Sequence, residues 1–137
     1  MSHGDEFSGV LETCVYCSAD EFEVTENFYA EVLGLRLVSS WAGSRAYRLG
    51  RGVLLLFERE ALATRDGPIA QHGADGPGHV CLLARHRDDY ERLQSALADA
   101  GVEITHEQQW EGGRRSYYFK DPAANLLEIA EADIWPA

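Results

Sequence analysis

The 137-residue sequence predicts an α+β fold of two tandem βαβββ modules whose mixed sheets curl around a cleft. Three observations predict it. The order strand–helix–strand–strand–strand occurs twice, over about residues 10–60 and 78–133. Each predicted helix carries apolar residues near a 3.6 period and stops at a glycine. Between the repeats runs "ALATRDGPIAQHGADGPG", a Gly-, Ala- and Pro-rich connector over about 61–77. One domain of two half-units, 1–137, is the expected organisation.

The elements follow in order. "LETCVYC" is a strand of β-branched, aromatic and Cys residues. "DEFEVTENFYAEVLGL" is a helix with Phe22, Thr25, Phe28, Tyr29, Val32 and Leu33 on one face. Asp20 is its expected N-cap, Glu21 and Glu23 suit its positive end, and Gly34 ends it. "RLVSSWAG", "SRAYRLG" and "GVLLLFERE" are three strands divided by glycines. In the second half, "GHVCLLARH" is a strand and "RDDYERLQSALADAG" a helix presenting Tyr90, Leu93, Ala96, Leu97 and Ala100. "VEITHEQQW", "RRSYYFKD" and "NLLEIAEA" complete the repeat. The tail "ADIWPA" carries an apolar pair and is expected to dock.

Composition narrows the partners. Twelve basic against 23 acidic residues give a net charge of −11, which argues against nucleic acid and an anionic membrane surface as partners. No run approaches the roughly 18 apolar residues of a membrane span. "MSHGDEFSG" lacks the parts of a signal peptide, so a cytoplasmic location is expected. Three cysteines do not make a disulfide framework. Cys14 and Cys17, three apart on a strand, point to opposite faces, and all three cysteines are expected to be small buried apolar residues.

One residue breaks the pattern. Glu128 sits between Leu127 and Ile129 on a strand that is otherwise apolar. An unpaired buried carboxylate costs several kcal/mol, and a domain has only about 5–15 kcal/mol in total. Glu128 therefore needs a donor, a proton, water or a metal ion. Strand parity offers companions for it: His79, Cys81 and Leu83; Thr13, Val15 and Cys17; Val53, Leu55 and Phe57. In the last hairpin a four-residue loop would set Tyr117 opposite Glu128, and a five-residue loop Tyr118. His79 with Glu128 is two-thirds of a 2-His-1-carboxylate site for a divalent ion. A His–Glu hydrogen bond is the simpler alternative. Arg114–Arg115 and Arg45–Arg48 are placed near the cleft mouth, where they would meet an anionic ligand. Trp41, Trp110 and Trp135 line either a pocket or an interface.

"ENFYAEVLGLRLVSSW", "GPGHVCLLA" and "SYYFKDPAANLLEIAE" resemble the vicinal oxygen chelate superfamily of glyoxalases, fosfomycin- and bleomycin-resistance proteins and extradiol dioxygenases. The resemblance spans Leu11 to Glu131. It implies a homodimer, a small-molecule substrate, and a divalent metal (Mn, Fe, Ni or Zn) held by His79 and Glu128. The family's first-strand His falls on Thr13, and a fourth ligand position falls near Leu55. Ser116 and Tyr118 match residues that contact a substrate oxyanion, which favours the five-residue loop. Glu128 and Tyr118 are thus the catalytic candidates, and Thr13, Ser116 and Arg115 the substrate-binding ones. A metal-free, antibiotic-sequestering binder of the bleomycin-resistance kind is the alternative.

Overall fold

The computed structural model describes residues 3–136 and contains two four-stranded sheets. In the first module β1 (Glu12–Cys17) leads to α1 (Phe22–Asn27), then β2 (Arg36–Trp41), β3 (Ser44–Leu49) and β4 (Gly52–Glu58). A short α2 (Arg59–Ala63) opens the connector. In the second module β5 (His79–Leu83) and α3 (Arg87–Asp99) precede β6 (His106–Gln109), β7 (Arg115–Lys120) and β8 (Leu126–Ala130). The strand orders are β1-β4-β3-β2 and β5-β8-β7-β6, and in both the first pair is parallel and the others antiparallel. The doubled βαβββ order is therefore as the sequence predicts. Both sheets are open.

Local details depart from expectation for identifiable reasons. The first helix starts at Ser18, not Asp20: Ser18 donates to Glu21 Oε1 through its N–H (3.1 Å) and its hydroxyl (2.9 Å). Its last turn, Phe28–Val32, widens to a π-turn before Gly34 leaves at φ 68°. The unpredicted α2 packs against the β2–β3 turn, where a Cβ on Gly43 would lie 2.4 Å from the Ala61 Cβ. Only glycine fits there.

One buried cluster joins the modules. It includes Val15, Tyr29, Tyr47 and Leu56 from the first, and Tyr90, Tyr117, Phe119 and Leu127 from the second. Phe28 meets Phe119 across the boundary, ring centroids 6.3 Å apart. The polar link is denser. In the β7–β8 turn, buried Asp121 accepts from the Ala123 and Asn125 amides (both 2.9 Å), from the Asn125 side chain (2.9 Å) and from the Tyr29 hydroxyl (2.6 Å). Asn125 in turn donates to the Tyr16 carbonyl (3.1 Å) and accepts from the Gly78 amide (2.9 Å). Ala124 completes the five-residue turn at φ 67°. Asn125→Ala removes three side-chain hydrogen bonds, so a loss of about 3 kcal/mol is expected at about 1 kcal/mol each, read as a lower urea midpoint.

Candidate functional site

On β8, Leu127 and Ile129 enter the core, so alternation turns Glu128 to the opposite face. The ladders set it between Cys81 on β5 and Tyr118 on β7. The five-residue loop is the observed one. Glu128 is 5% exposed, and its Oε1 lies 3.3 Å from His79 Nε2. His79 Nδ1 lies 3.0 Å from the Leu126 carbonyl, which can only accept, so Nδ1 carries a proton. Nε2 then faces the carboxylate, and the pair is attractive only with a proton or a cation between them. Glu128 Oε2 is buried with no hydrogen-bond partner. Its surroundings are neutral: burial, then Glu128, pushes the Cys81 thiol up to about 12, and burial raises the Tyr118 hydroxyl.

Glu128, His79, Cys81 and Tyr118 form the floor of a cavity of about 840 Å³. Its walls are Trp110, Glu111 and Gly112 before β7 and the tail from Asp133 to Pro136. The volume lies in the range usual for small-molecule sites. All its lining residues come from the second module and tail, so this cavity is not shared by both sheets.

The other expected site residues are placed differently. Thr13 shares the face of Val15 and Cys17, which are in the core, and pairs with buried Leu54. It therefore points away from the open side, whose β1 residues are Glu12, Cys14 and Tyr16. Ser116 shares the Tyr118 face but is fully buried, and its Oγ accepts from Trp110 Nε1 at 2.9 Å. It positions the indole. Arg115 faces the helix side, with its Nη2 3.1 Å from Glu131 Oε2 and its guanidinium 4.7 Å over the Tyr90 ring. It is not at the cavity, because adjacent strand residues alternate. Cys81 is exposed and Cys14 half-buried, so only Cys17 is the buried apolar residue expected of all three. The tail lines the cavity, but of the apolar pair expected to dock it Ile134 is half-buried and Trp135 is 81% exposed.

The two modules superimpose in hydrogen-bond register. Val53 N donates to Leu11 O as Leu126 N does to Gly78 O, both at 2.9 Å. This makes Glu12 the counterpart of His79, Cys14 of Cys81, Leu55 of Glu128 and Ala46 of Tyr118. The first module's open face is covered differently. Tyr16 Oη lies 2.5 Å from His72 Nδ1 of the connector, and the His72 ring sits edge-on to Phe57 at 5.0 Å.

Residues 16–129 match the sequence model of the Glyoxalase/Bleomycin resistance protein/Dioxygenase superfamily. The chain belongs to this superfamily. Among solved structures, a lactoylglutathione lyase from Agrobacterium tumefaciens is 33% identical over 93% of this chain and 96% of its own, with a TM-score of 0.84. An integron cassette protein from V. cholerae is 26% identical over 93% and 97%, with a TM-score of 0.70. A glyoxalase-related enzyme from Fulvimarina pelagi, 20% identical over 95% and 92%, shares the fold with a TM-score of 0.71. No significant match occurs among curated proteins. The imidazole lone pair and the orphaned carboxylate oxygen fit part of a divalent-metal coordination shell. Among the described residues of one chain, no group of three His, Cys, Asp or Glu side chains converges to complete it.

Two outcomes follow. Glu128→Gln removes a buried charge with an unpartnered oxygen, so in metal-free buffer the variant is expected to be more stable by about 1 kcal/mol, read by urea unfolding. The Glu131 carboxyl is held below its ordinary 4.5 chiefly by hydrogen bonding to Arg115. A depressed folded value gives stability that is present above about pH 4.5 and is lost as pH falls through the folded value. Arg115→Met should flatten that acid limb in denaturation measured between about pH 5 and 2.

Proposed function

We propose that this chain is a subunit of a divalent-metal enzyme that acts on a small molecule through a pair of neighbouring oxygens. The observation that carries the reading is the buried Glu128 carboxylate, with one oxygen unpartnered and the other 3.3 Å from a His79 nitrogen whose opposite nitrogen donates to backbone. A histidine fixed through its far N–H is the usual posture of a metal-ligating imidazole. When bound, the ion supplies Lewis acidity to the substrate oxygens. Tyr118, a neutral hydroxyl across the ladder from Glu128, orients the substrate or donates to a developing oxyanion. Glu128 itself holds the ion and accepts a substrate proton.

A second copy of the chain completes the site in this reading. The cavity draws on one module, and the edge strand β2 leaves Leu37, Val38 and Trp41 exposed. Apolar surface of this kind is buried in a symmetric dimer. The third donor is then Glu12 of the partner subunit, the register counterpart of His79, and not Thr13, which points into the core. Leu55 gives the first module no acid matching Glu128. The likeness to a lactoylglutathione lyase makes that reaction the first to assay.

Metal content of purified protein tests the reading. About one Mn, Fe, Ni or Zn per chain is expected after growth with added metal, reduced at least about tenfold in His79→Ala and Glu128→Gln. Glu12→Ala should weaken retention while leaving the dimer mass unchanged in light scattering. Metal-free protein that binds small ligands would favour the sequestering alternative, which the chiefly apolar cavity lining supports.

A further inference from the structure

A second hollow opens at one end of the second sheet, apart from the cavity over Glu128. β5 runs parallel to β8 and β7 runs antiparallel to it, so the ends of β5 and β8 meet the start of β7. Three segments that each carry an arginine come together there: Arg85 after β5, Arg87 at the head of α3 and Arg114 before β7. All three line one pocket of about 340 Å³, at the lower end of the range for small-molecule sites, together with His86 and Gly113. Arg115 turns to the helix side, and Arg114 is left at this pocket.

The pocket's charge runs against that of the chain. There are nearly two acids for every base, 23 against 12. Yet the Arg85 and Arg114 guanidiniums make no hydrogen bond or ion pair with any described residue. Arg87 has only long contacts, to Glu91 at 3.9 Å and Glu131 at 4.0 Å, beyond hydrogen-bond reach. Two carboxylates also line the pocket, Glu131 and Asp133. Arg115 already donates to both oxygens of Glu131, at 3.2 and 3.1 Å. Only Asp133 is then set against three guanidiniums. At the head of α3, Asp89 accepts from the His86 amide (3.1 Å), so the positive excess comes from the arginines and not from the helix end.

We propose that this pocket is a second binding site, for a phosphate-type oxyanion: inorganic phosphate or the phosphate group of a small ester. One guanidinium fork satisfies a carboxylate, whereas a tetrahedral dianion has oxygens enough for three. The site stands apart from the metal reading, because Asp133 is the one residue that lines both this pocket and the cavity over Glu128.

Titration calorimetry of the full chain, in phosphate-free buffer at a fixed ionic strength of about 0.1 M, reads the affinities of inorganic phosphate, glycerol phosphate and acetate. Saturable binding of a phosphate probe is expected, at least about tenfold tighter than acetate. Arg85→Ala and Arg114→Ala should each weaken it at least about tenfold. Asp133→Asn removes a carboxylate while tolerating the left-handed φ of 64°, and should tighten binding about threefold. Arg51→Ala makes the same charge change as Arg114→Ala but in the β3–β4 turn of the first module, and should leave the affinity within about twofold. His79→Ala should do the same, which separates this site from an anion held by a metal. Tighter binding of the ester assigns the pocket to a phosphorylated small molecule, and tighter binding of the free ion assigns it to phosphate itself. The site is overturned by no saturable binding below about 10 mM, by acetate binding as tightly as phosphate, by equal losses in Arg114→Ala and Arg51→Ala, or by loss of phosphate binding in His79→Ala.

Discussion

The Asp121–Asn125 turn is the constraint on which the site depends. Five residues separate β7 from β8, and two side chains inside the turn fix how the strands enter the sheet. Asp121 binds its own turn and Tyr29 of the first module; Asn125 ties the β5 entrance at Gly78 to the β1 carbonyl of Tyr16. A turn shorter by one residue would slide β8 past β7 and exchange Tyr118 for Tyr117 opposite Glu128. The acid would then face a residue that now packs in the core. The same hydrogen bonds that join the halves therefore decide which side chains meet at the cavity floor.

Strand parity made much of this legible. The repeat of helical and strand periods predicted two like modules, and both ladders repeat it down to matching amide–carbonyl bonds. His79 and Glu128 were visible because each interrupts an apolar strand, and a charge in such a strand has few stable surroundings. Thr13 was misplaced because "LETCVYC" is ambiguous. Its two faces, Thr-Val-Cys and Glu-Cys-Tyr, are similar in polarity, so only the core packing of Val15 and Cys17 settles which one turns inward. Arg115 is a different case. Its alternation with Ser116 and Tyr118 already assigned it to the other face, where Glu131 and the Tyr90 ring hold it.

The remaining site residues lay outside any periodic signal. Trp110 reaches the cavity from the loop before β7, and Trp135 from a tail bent at one left-handed residue. Neither location is encoded in a repeat of two or 3.6. What betrays them is composition: large aromatic residues in Gly-rich or terminal segments, where burial in a local core is not available to them.

The register match between modules shows how one scaffold yields two unlike faces. At the equivalent positions the second module holds His79, Tyr118 and Glu128, and the first holds Glu12, Ala46 and Leu55. Replacing the acid by Leu55 removes the group that demands a cation or donor, and that open face is instead closed by Tyr16, Phe57 and His72 of the connector. The second module keeps its acid. Glu128 Oε2 is buried without a hydrogen-bond partner, and the tail lines the cavity walls instead of closing the face with a ring as His72 does in the first module. The group that demands a donor or a cation therefore stays at the cavity floor.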